Sequence, residues 1–435
     1  MKTLIYGKSS RWDKEIFYVS IENVEQIKED TFQIFFDGIQ GKKLDFYKRN
    51  TLLDSYNEII PYIFSVTVSQ EEYLKIMNFF KPAIFKSRWF QLIVTEKETE
   101  LPVSIIIDNY LSNEDNTQEK FISSIKQLHS GSSINKTLNK YFSWDSFELS
   151  NPEQIIESLP IPNSNRGSFI HKLNIYNVGQ GSLTAITDEN NVPLLYFDLG
   201  GGFGVNKGTY PDISTLKLCF SYTKTVIVSH WDNDHLETAR RYFKNNPSML
   251  DGVTWIVPQQ TITASFFKLA AKMNGTGNLI IWPKYLKGSL SFWFGKLIKC
   301  NGPDKNHSGI ALVVESPDNS IRKVLNPADA AYKYIPTIRK VKFDGLVATH
   351  HGANFDDSNL PIPIPNSENG NIVYSYGTGN SYGHPKHTAV SAHFVSDWKN
   401  YRNTEDGNIS FTTNSNILNV PCGSSQCTLD IVLTF

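Results

Sequence analysis

Four residues able to ligate a metal occupy six consecutive positions in Ser229-His230-Trp231-Asp232-Asn233-Asp234-His235. They follow an apolar strand-like run, Thr225 to Ser229, and precede a helical pattern. In such a turn the ligands cannot all point the same way. Alternating residues, His230 and Asp232, can converge on one cation, while the adjacent pair Asp234 and His235 reaches a second. Two ions ~4 Å apart can clamp an attacking and a leaving oxygen. The plainer reading is a polar turn capping a helix, with Asp234 as N-cap. That reading alone does not account for four ligand-type residues at this spacing.

Two further groups have the right chemistry. Asp329 follows the strand-like run KVLNPA and could bridge two metals, although a lone Asp there is more often a helix cap. His350-His351-Gly352 ends the apolar run GLVAT, as a ligand beside a partner. Eight of the ten histidines fall between 230 and 393. Each lies at a strand end, in a loop or in a late helical stretch, and loops held by a rigid scaffold are where function concentrates.

The elements that must position these residues begin near 170. Strand-like runs then arrive regularly, with helical patterns at 237–246, 262–273, 328–340 and 387–400. Many strands with a few amphipathic helices suggest two packed sheets covered by helices. Residues 1–115 mix short strand-like runs with a helical stretch at 69–80 and read as a smaller α+β domain. Basic and aromatic clusters at 41–49 and 81–90 are either a solvated face or a docking surface. The stretch 113–165 reads as polar linker with an amphipathic helix at its start and a capped short helix at 152–158. The domain boundary is therefore expected near 165, giving domains 1–165 and 166–435.

The chain of 435 residues exceeds the ~250–300 at which single cores stop growing. A hydrophobic fraction of 40% and a charged fraction of 20% exclude a disordered chain, a collagen and a coiled coil. Lys+Arg of 42 against Asp+Glu of 43 disfavours a globally basic nucleic-acid binder but permits a local basic groove. Four cysteines do not make a disulfide scaffold: Cys219 and Cys300 read as buried thiols, Cys422 and Cys427 as two thiols near a turn. Without a signal-like segment or an apolar run of ~18 residues, a cytoplasmic location away from membranes is expected.

The stretch from about 172 to 435 resembles the metallo-β-lactamase fold superfamily, and more narrowly the hydrolase domain of ComEC-type DNA-uptake proteins and its stand-alone relatives. The matching pieces, in the family's order, are Asn177 to Ser182, Tyr196 to Gly201, the loop His230 to His235, Asn306-His307-Ser308, Asp329, His350-His351-Gly352 and Tyr382-Gly383-His384-Pro385. The resemblance implies an α+β fold whose C-terminal part is an αββα sandwich. It implies two divalent ions, Zn²⁺ or Mn²⁺, held by His230, Asp232, Asp234, His235, Asp329 and His351, with His307 as a further candidate ligand. Asp198 and His350 would orient the ligands. The metal pair would make hydroxide at neutral pH, with Asp234 orienting it. His384 would contact a phosphate oxygen or donate a proton to the leaving group. Nucleic acid is then the implied substrate, and a nuclease the implied activity. Hydrolysis of a small phosphodiester, ester or lactone, and an idle binding module, are the alternatives. Residues 1–165 lie outside the resemblance and are expected to recognise nucleic acid or a protein partner. Two departures stand out: Leu236-Glu237-Thr238 where the family has Ile-Gly-Gly, and Pro327-Ala328-Asp329 where it has Thr-Gly-Asp.

Overall fold

A computed structural model describes residues 3–5, 14–47, 56–80, 88–96, 98–99, 101–107, 118–161, 172–188, 191–210, 218–220, 224–315, 323–354, 360–368 and 370–412. The chain divides into two compact units. One is Met1–Glu148 with Thr261–Gly275, the other Leu149–Gln260 with Thr276–Phe435. The division therefore differs from the one expected near 165. The capped helix Pro152–Glu157, read as linker, belongs to the second unit because Ile155 and Leu159 are buried in its core.

The first unit is built on seven strands: β1 (Thr3–Ile5), β2 (Glu15–Lys28), β3 (Thr31–Gln40), β4 (Pro61–Ser69), β5 (Phe90–Thr95), β6 (Pro102–Ile107) and β7 (Gln118–Gln127). Their order is β1-β7-β5-β2-β3-β4-β6, and β6 also pairs with β7. The sheet thus closes on itself as an antiparallel ring of six strands with β1 added at β7, which removes most exposed edge. The expected helix at 69–80 is present as Gln70–Phe80.

The segment read as an amphipathic helix near 120 is instead β7. Ile122 and Ile125 are both buried in the ring, and their spacing of three mimics a helical stripe. A bulge explains the mimicry: Ile122 pairs with Val94 and Ser124 with Ile93, leaving Ser123 between them. Ser123 Oγ bonds the Ile93 carbonyl at 3.2 Å, and the extra residue resets which face the next side chain takes.

The helix Ala264–Thr276, expected at 262–273, serves the first unit over most of its length. The fully buried carboxylate of Asp37 on β3 accepts from Ser265 N at 3.1 Å, Ser265 Oγ at 2.5 Å and Thr263 Oγ1. It caps the helix from another element, where negative charge is favoured.

The second unit holds two seven-stranded sheets. The first contains β8 (Lys172–Ile175), β9 (Leu183–Thr187), β10 (Pro193–Leu199), β11 (Thr225–Ile227), β12 (Thr254–Pro258), β13 (Asn278–Trp282) and β23 (Ile409–Thr412). The second contains β14 (Gly288–Phe292), β15 (Gly295–Lys299), β16 (Ile310–Glu315), β17 (Lys323–Asn326), β19 (Gly345–Val347), β21 (Asn371–Tyr374) and β22 (Asn400–Asn403). The small pair β18 (Lys342–Phe343) and β20 (Ile364–Pro365) stands apart.

Each large sheet is half antiparallel and half parallel. The parallel halves are β10 to β13 in one sheet and β17, β19, β21 and β22 in the other. Their inner faces share one core, in which Phe197, Ile227 and Ile256 meet Leu312, Val347 and Val373. The helix Glu237–Asn245 covers the first sheet through Phe243 against Trp255. The helix His387–Val395 covers the second through Val390. The layering is helix, sheet, sheet, helix, as expected of a mixed α+β chain.

The expected helix at 328–340 does not form. Two 3₁₀ turns, Tyr332–Tyr334 and Ile338–Lys340, replace it, separated at Pro336 and Thr337, whose φ is 71°. Cys300 is a buried free thiol as read, whereas Cys219 is disulfide-bonded. Its apolar surroundings suit either state, so the sequence could not separate them. Cys422, Cys427 and residues 81–87 of the cluster at 81–90 lie outside the described residues, whereas Trp89 and Phe90 of that cluster are buried in place of lying on a surface. Among the described residues no helix is long and apolar enough to cross a membrane.

Candidate metal centre

The site lies where the carboxyl ends of the two parallel half-sheets meet. Asp198 is the penultimate residue of β10, and the turn after β11 carries His230 to His235. Asp329 follows β17, and the turn Thr349–Gly352 follows β19.

Glycine explains how the first turn seats. The carbonyl of Asp234 accepts from Ser182 N at 3.1 Å and Gly201 N at 2.9 Å. A Cβ on Gly200 would stand 1.9 Å from that oxygen, so only glycine lets the 196–201 motif close on the ligand loop. The departure at Thr238 has a role here. Its Oγ1 donates to Gly200 O at 2.6 Å and meets Tyr210 Oη at 2.5 Å, fastening the helix Glu237–Asn245 to the same glycine motif.

Asp198 organises the candidate groups of the first sheet. Its Oδ1 accepts from Ser229 N at 2.7 Å, and its Oδ2 accepts from Ser229 Oγ at 2.8 Å and His235 Nδ1 at 2.8 Å. Because the Ser229 hydroxyl gives its proton to Asp198, it can only accept from His230 Nδ1, 2.9 Å away. On the second sheet, His351 Nδ1 donates to Ser375 O at 2.7 Å. In all three imidazoles the Nδ1 proton is therefore committed to an oxygen acceptor, and Nε2 is the atom turned to the site. Fixing the tautomer in this way is how orienting partners prepare histidine ligands.

Those Nε2 atoms converge. His230, His235 and Asp329 form one group whose ligand atoms lie within 4.8 Å of one another, and Asp234, His235 and His351 form another. Asp329 faces both sides: its Oδ2 is 3.7 Å from His230 Nε2 and its Oδ1 is 3.7 Å from His351 Nε2. Asp329 Oδ1 and His235 Nε2 stand 2.9 Å apart. Yet the Nε2 atoms of His230, His235 and His351 and Asp329 Oδ1 are buried with no hydrogen-bond partner among the described residues. Buried polar atoms are normally hydrogen-bonded. Nitrogen and oxygen donors aimed at one another across a gap are what a divalent cation satisfies, so the residues fit such an ion.

The electrostatics agree. Burial drives the His230 imidazole well below its ordinary value, with His235 adding to the effect. Burial opposes a proton on His235 as well, but the Asp329 and Asp198 carboxylates outweigh it and hold His235 well above. Burial works to raise Asp329, and the surrounding His235, His350 and His351 bring it well below the usual carboxylate range. Asp234 is lowered in the same sense, mainly through His351 at 3.3 Å.

Backbone strain gathers at the same place. Of seven non-glycine residues with positive φ among those described, four are Asp198 (61°), Ala328 (49°), His350 (46°) and His351 (55°). Each such residue costs ~1–3 kcal/mol and persists only where its surroundings dictate it. Ala328 is the departure before Asp329, and His350 N bonds its carbonyl at 3.0 Å, locking the two second-sheet turns together.

Not every expected residue joins the cluster. His307 is not brought into either group: Asp304 holds its Nδ1 at 2.7 Å, and its ring lies 5.0 Å from that of Tyr334. His230 Nε2 and Asp232 Oδ2, the pair read from alternation, stand 3.9 Å apart. Asp232 Oδ2 lies nearer Lys305 Nζ, at 3.2 Å. His350 is part-exposed, with its Nε2 3.4 Å from Asp329 Oδ2. His384 is buried, its Nδ1 3.1 Å from Gln180 Nε2 and its ring 6.3 Å from that of His351. Burial holds it well below its ordinary value, with His350 and His351 adding, so it is neutral.

Sequence reasoning did not single out Ser229, Gln260, Lys305 or Ser375. Lys305 carried one signal, a lone cation in the loop just before Asn306-His307-Ser308. His393 is buried between Tyr332 Oη at 2.8 Å and Tyr374 Oη at 2.9 Å. This trio underlies the Thr349–Gly352 turn, whose Thr349 N reaches Tyr332 Oη at 3.5 Å.

No family model matches the chain, and no curated protein matches it. Among solved structures it is similar to the metallo-beta-lactamase fold protein YhfI from Bacillus subtilis, with a TM-score of 0.34 and 12% identity over 56% of this chain and 99% of that one. It is also similar to a long form RNase Z from yeast, with a TM-score of 0.33 and 10% identity over 74% of this chain and 51% of that one.

Proposed function

We propose that the chain is a metal-dependent phosphodiesterase acting on nucleic acid. One observation carries the reading: buried Nε2 atoms of His230, His235 and His351 converge on Asp329 without hydrogen-bond partners. His230, His235, Asp234, Asp329 and His351 would hold divalent ions, Zn²⁺ or Mn²⁺, with Asp329 offering one oxygen to each side. Such ions supply Lewis-acid stabilisation and a hydroxide nucleophile at neutral pH.

The rest of the work falls to this chain's own groups. Asp234, kept ionised beside His351, accepts a hydrogen bond from the attacking water and orients it. Asp198 and Ser229 hold the Nδ1 protons of His230 and His235, which aims both Nε2 atoms at the site. With Gln180 donating to its Nδ1, His384 carries its proton on Nε2. A buried neutral imidazole is a weak acid, so His384 acts as a hydrogen-bond donor to a phosphate oxygen rather than as the proton source. A phosphate substrate and nucleic acid as its source rest on the ordered sequence resemblance, which includes the 382–385 motif.

The test is elemental analysis of the purified protein, followed by hydrolysis assays with Mn²⁺ or Zn²⁺. The substrates are single- and double-stranded DNA and RNA, bis(p-nitrophenyl) phosphate and a lactone. Divalent metal bound in stoichiometric amount and cleavage of a nucleic acid are expected. A fully metallated protein that opened the lactone and left every phosphodiester intact would overturn the reading.

A further inference from the structure

The carboxyl edge of the first sheet continues beyond the metal centre. Strands β10 to β13 are mutually parallel, so their ends line one edge in the order Asp198, His230 to His235, Gln259-Gln260, and Lys284-Tyr285. Ligands of parallel sheets bind off this edge. β11 and β13 are two strand spacings apart, about 10 Å.

The turn after β13 is braced from behind. Gln259 N donates to Trp282 O at 2.8 Å, and Gln259 Oε1 accepts from Lys284 N at 3.0 Å. Leu286 N bonds Pro283 O at 3.1 Å, and Trp282 Nε1 donates to Leu286 O at 2.9 Å. The turn is thus fixed while its tip, Tyr285, is 71% exposed. The neighbouring Gln260 ties the same edge to the metal centre: its Oε1 accepts from Trp231 N at 3.2 Å, and its Nε2 donates to Lys305 O at 2.5 Å.

Charge runs the same way. Pro283 to Lys287 contains Lys284 and Lys287, both exposed, and no acidic residue. Lys305 lies between this turn and the centre, within 3.2 Å of Asp232. After β22 stand Glu405 and Asp406, with Tyr376 and Thr378 bonded to Glu405. A polyanion therefore has a favourable approach on the β13 side.

We infer that Lys305, Lys284, Lys287 and Tyr285 form a track for single-stranded nucleic acid leading from the metal centre, the lysines pairing with successive phosphates and Tyr285 stacking on an unpaired base. This deepens the phosphodiesterase reading and rests on it for the direction of the track. A strand is favoured over a duplex because an exposed ring stacks only on a base free of its own stack, whereas duplex bases are already occupied.

The experiment uses the full chain. Fluorescence anisotropy measures binding of labelled oligothymidylate of about ten nucleotides, a length that fits the usual footprint of such grooves. Tyr285→Ala should weaken binding about 5–100-fold, the usual range for loss of one stacked base. Lys284→Ala should weaken it and lower the salt slope by about 1. In hydrolysis assays the same variants should lower the ratio of oligonucleotide to bis(p-nitrophenyl) phosphate kcat/KM, because the small diester cannot reach Tyr285. Wild-type affinity in both variants, or duplex of equal length competing as well as the single strand, would overturn the track. If no phosphodiester is hydrolysed while Tyr285→Ala still weakens oligothymidylate binding, the catalytic reading falls and the track stands.

Discussion

The two sheets of the second unit bring their candidate ligands to one place by different means. The first sheet delivers His230, Asp234 and His235 in a single turn, governed by one buried carboxylate, Asp198, with Ser229 as its relay. The second delivers Asp329 and His351 from separate turns, each at left-handed backbone and locked together by His350 N to Ala328 O. A Tyr332–His393–Tyr374 trio lies under the second of these turns. One half is organised by side-chain hydrogen bonds, the other by strained backbone over a polar core. The contrast teaches that a metal site can be written locally in one strand's turn and completed by topology elsewhere.

The largest expected effect tests where the halves join. Asp329→Ala removes the carboxylate that faces both groups. It should cut bound metal by about half and abolish turnover, as read by elemental analysis and single-substrate kinetics. Full metal content and normal activity would reduce Asp329 to a structural residue.

Asp198→Asn attacks the first half alone. It keeps the shape but weakens the bond that fixes His235. Orienting partners of this kind are worth about 10–100-fold in metal affinity, so competition with a chelator should show a loss of that size. His393→Phe attacks the support of the second half. It leaves two buried tyrosine hydroxyls without their shared partner, which should cost about 1–3 kcal/mol in urea unfolding. Its metal affinity should fall less than that of Asp198→Asn; the reverse order would break the comparison.

Lys299 gives a pH signature on the second sheet. Burial brings its ammonium down to about 8 from 10.5, and its Nζ donates to Ser308 O at 2.8 Å under the loop that carries Lys305. Between about pH 8 and 10.5 the unfolded chain holds a proton that the folded chain has released, so this residue makes stability rise with pH across that window. Below about 8 both states are charged and the burial penalty is fully felt. Lys299→Met should flatten the rise in unfolding free energy measured across that range. The smallest effect is expected at His307. His307→Ala should retain the wild-type metal content, because Asp304 already holds its ring nitrogen and it stands outside both groups.

What the sequence revealed follows the same divide. The turn 230–235 was legible because adjacent residues must be near one another. The glycine motif at 196–201 was legible as a marker, though not as the cradle for Asp234 O that the structure shows. Lys305 and Gln260 were not, since their place depends on β12 and β15 lying beside the ligand turn, which no local pattern encodes. The ring of the first unit was hidden for another reason. Its closure through β6 and β7 is a long-range pairing, and the bulge at Ser123 gave β7 the periodicity of a helix. The boundary near 165 failed because composition cannot tell a linker from a polar helix that buries Ile155 and Leu159 on one side.

The helix Ala264–Thr276 gives the chain an order of assembly. Its capping partner Asp37 leaves the ribosome early, yet Thr263 and Ser265 come only after most of the first sheet of the second unit has been made. At ~5–20 residues per second that interval is on the order of ten seconds. Through it the first unit exists without one of its packed elements, and a carboxylate destined for full burial remains in water. Neither unit is finished before the other is well under way, so birth of the protein is an interleaved process, and the unfinished ring is the species that a holdase or a protease would meet.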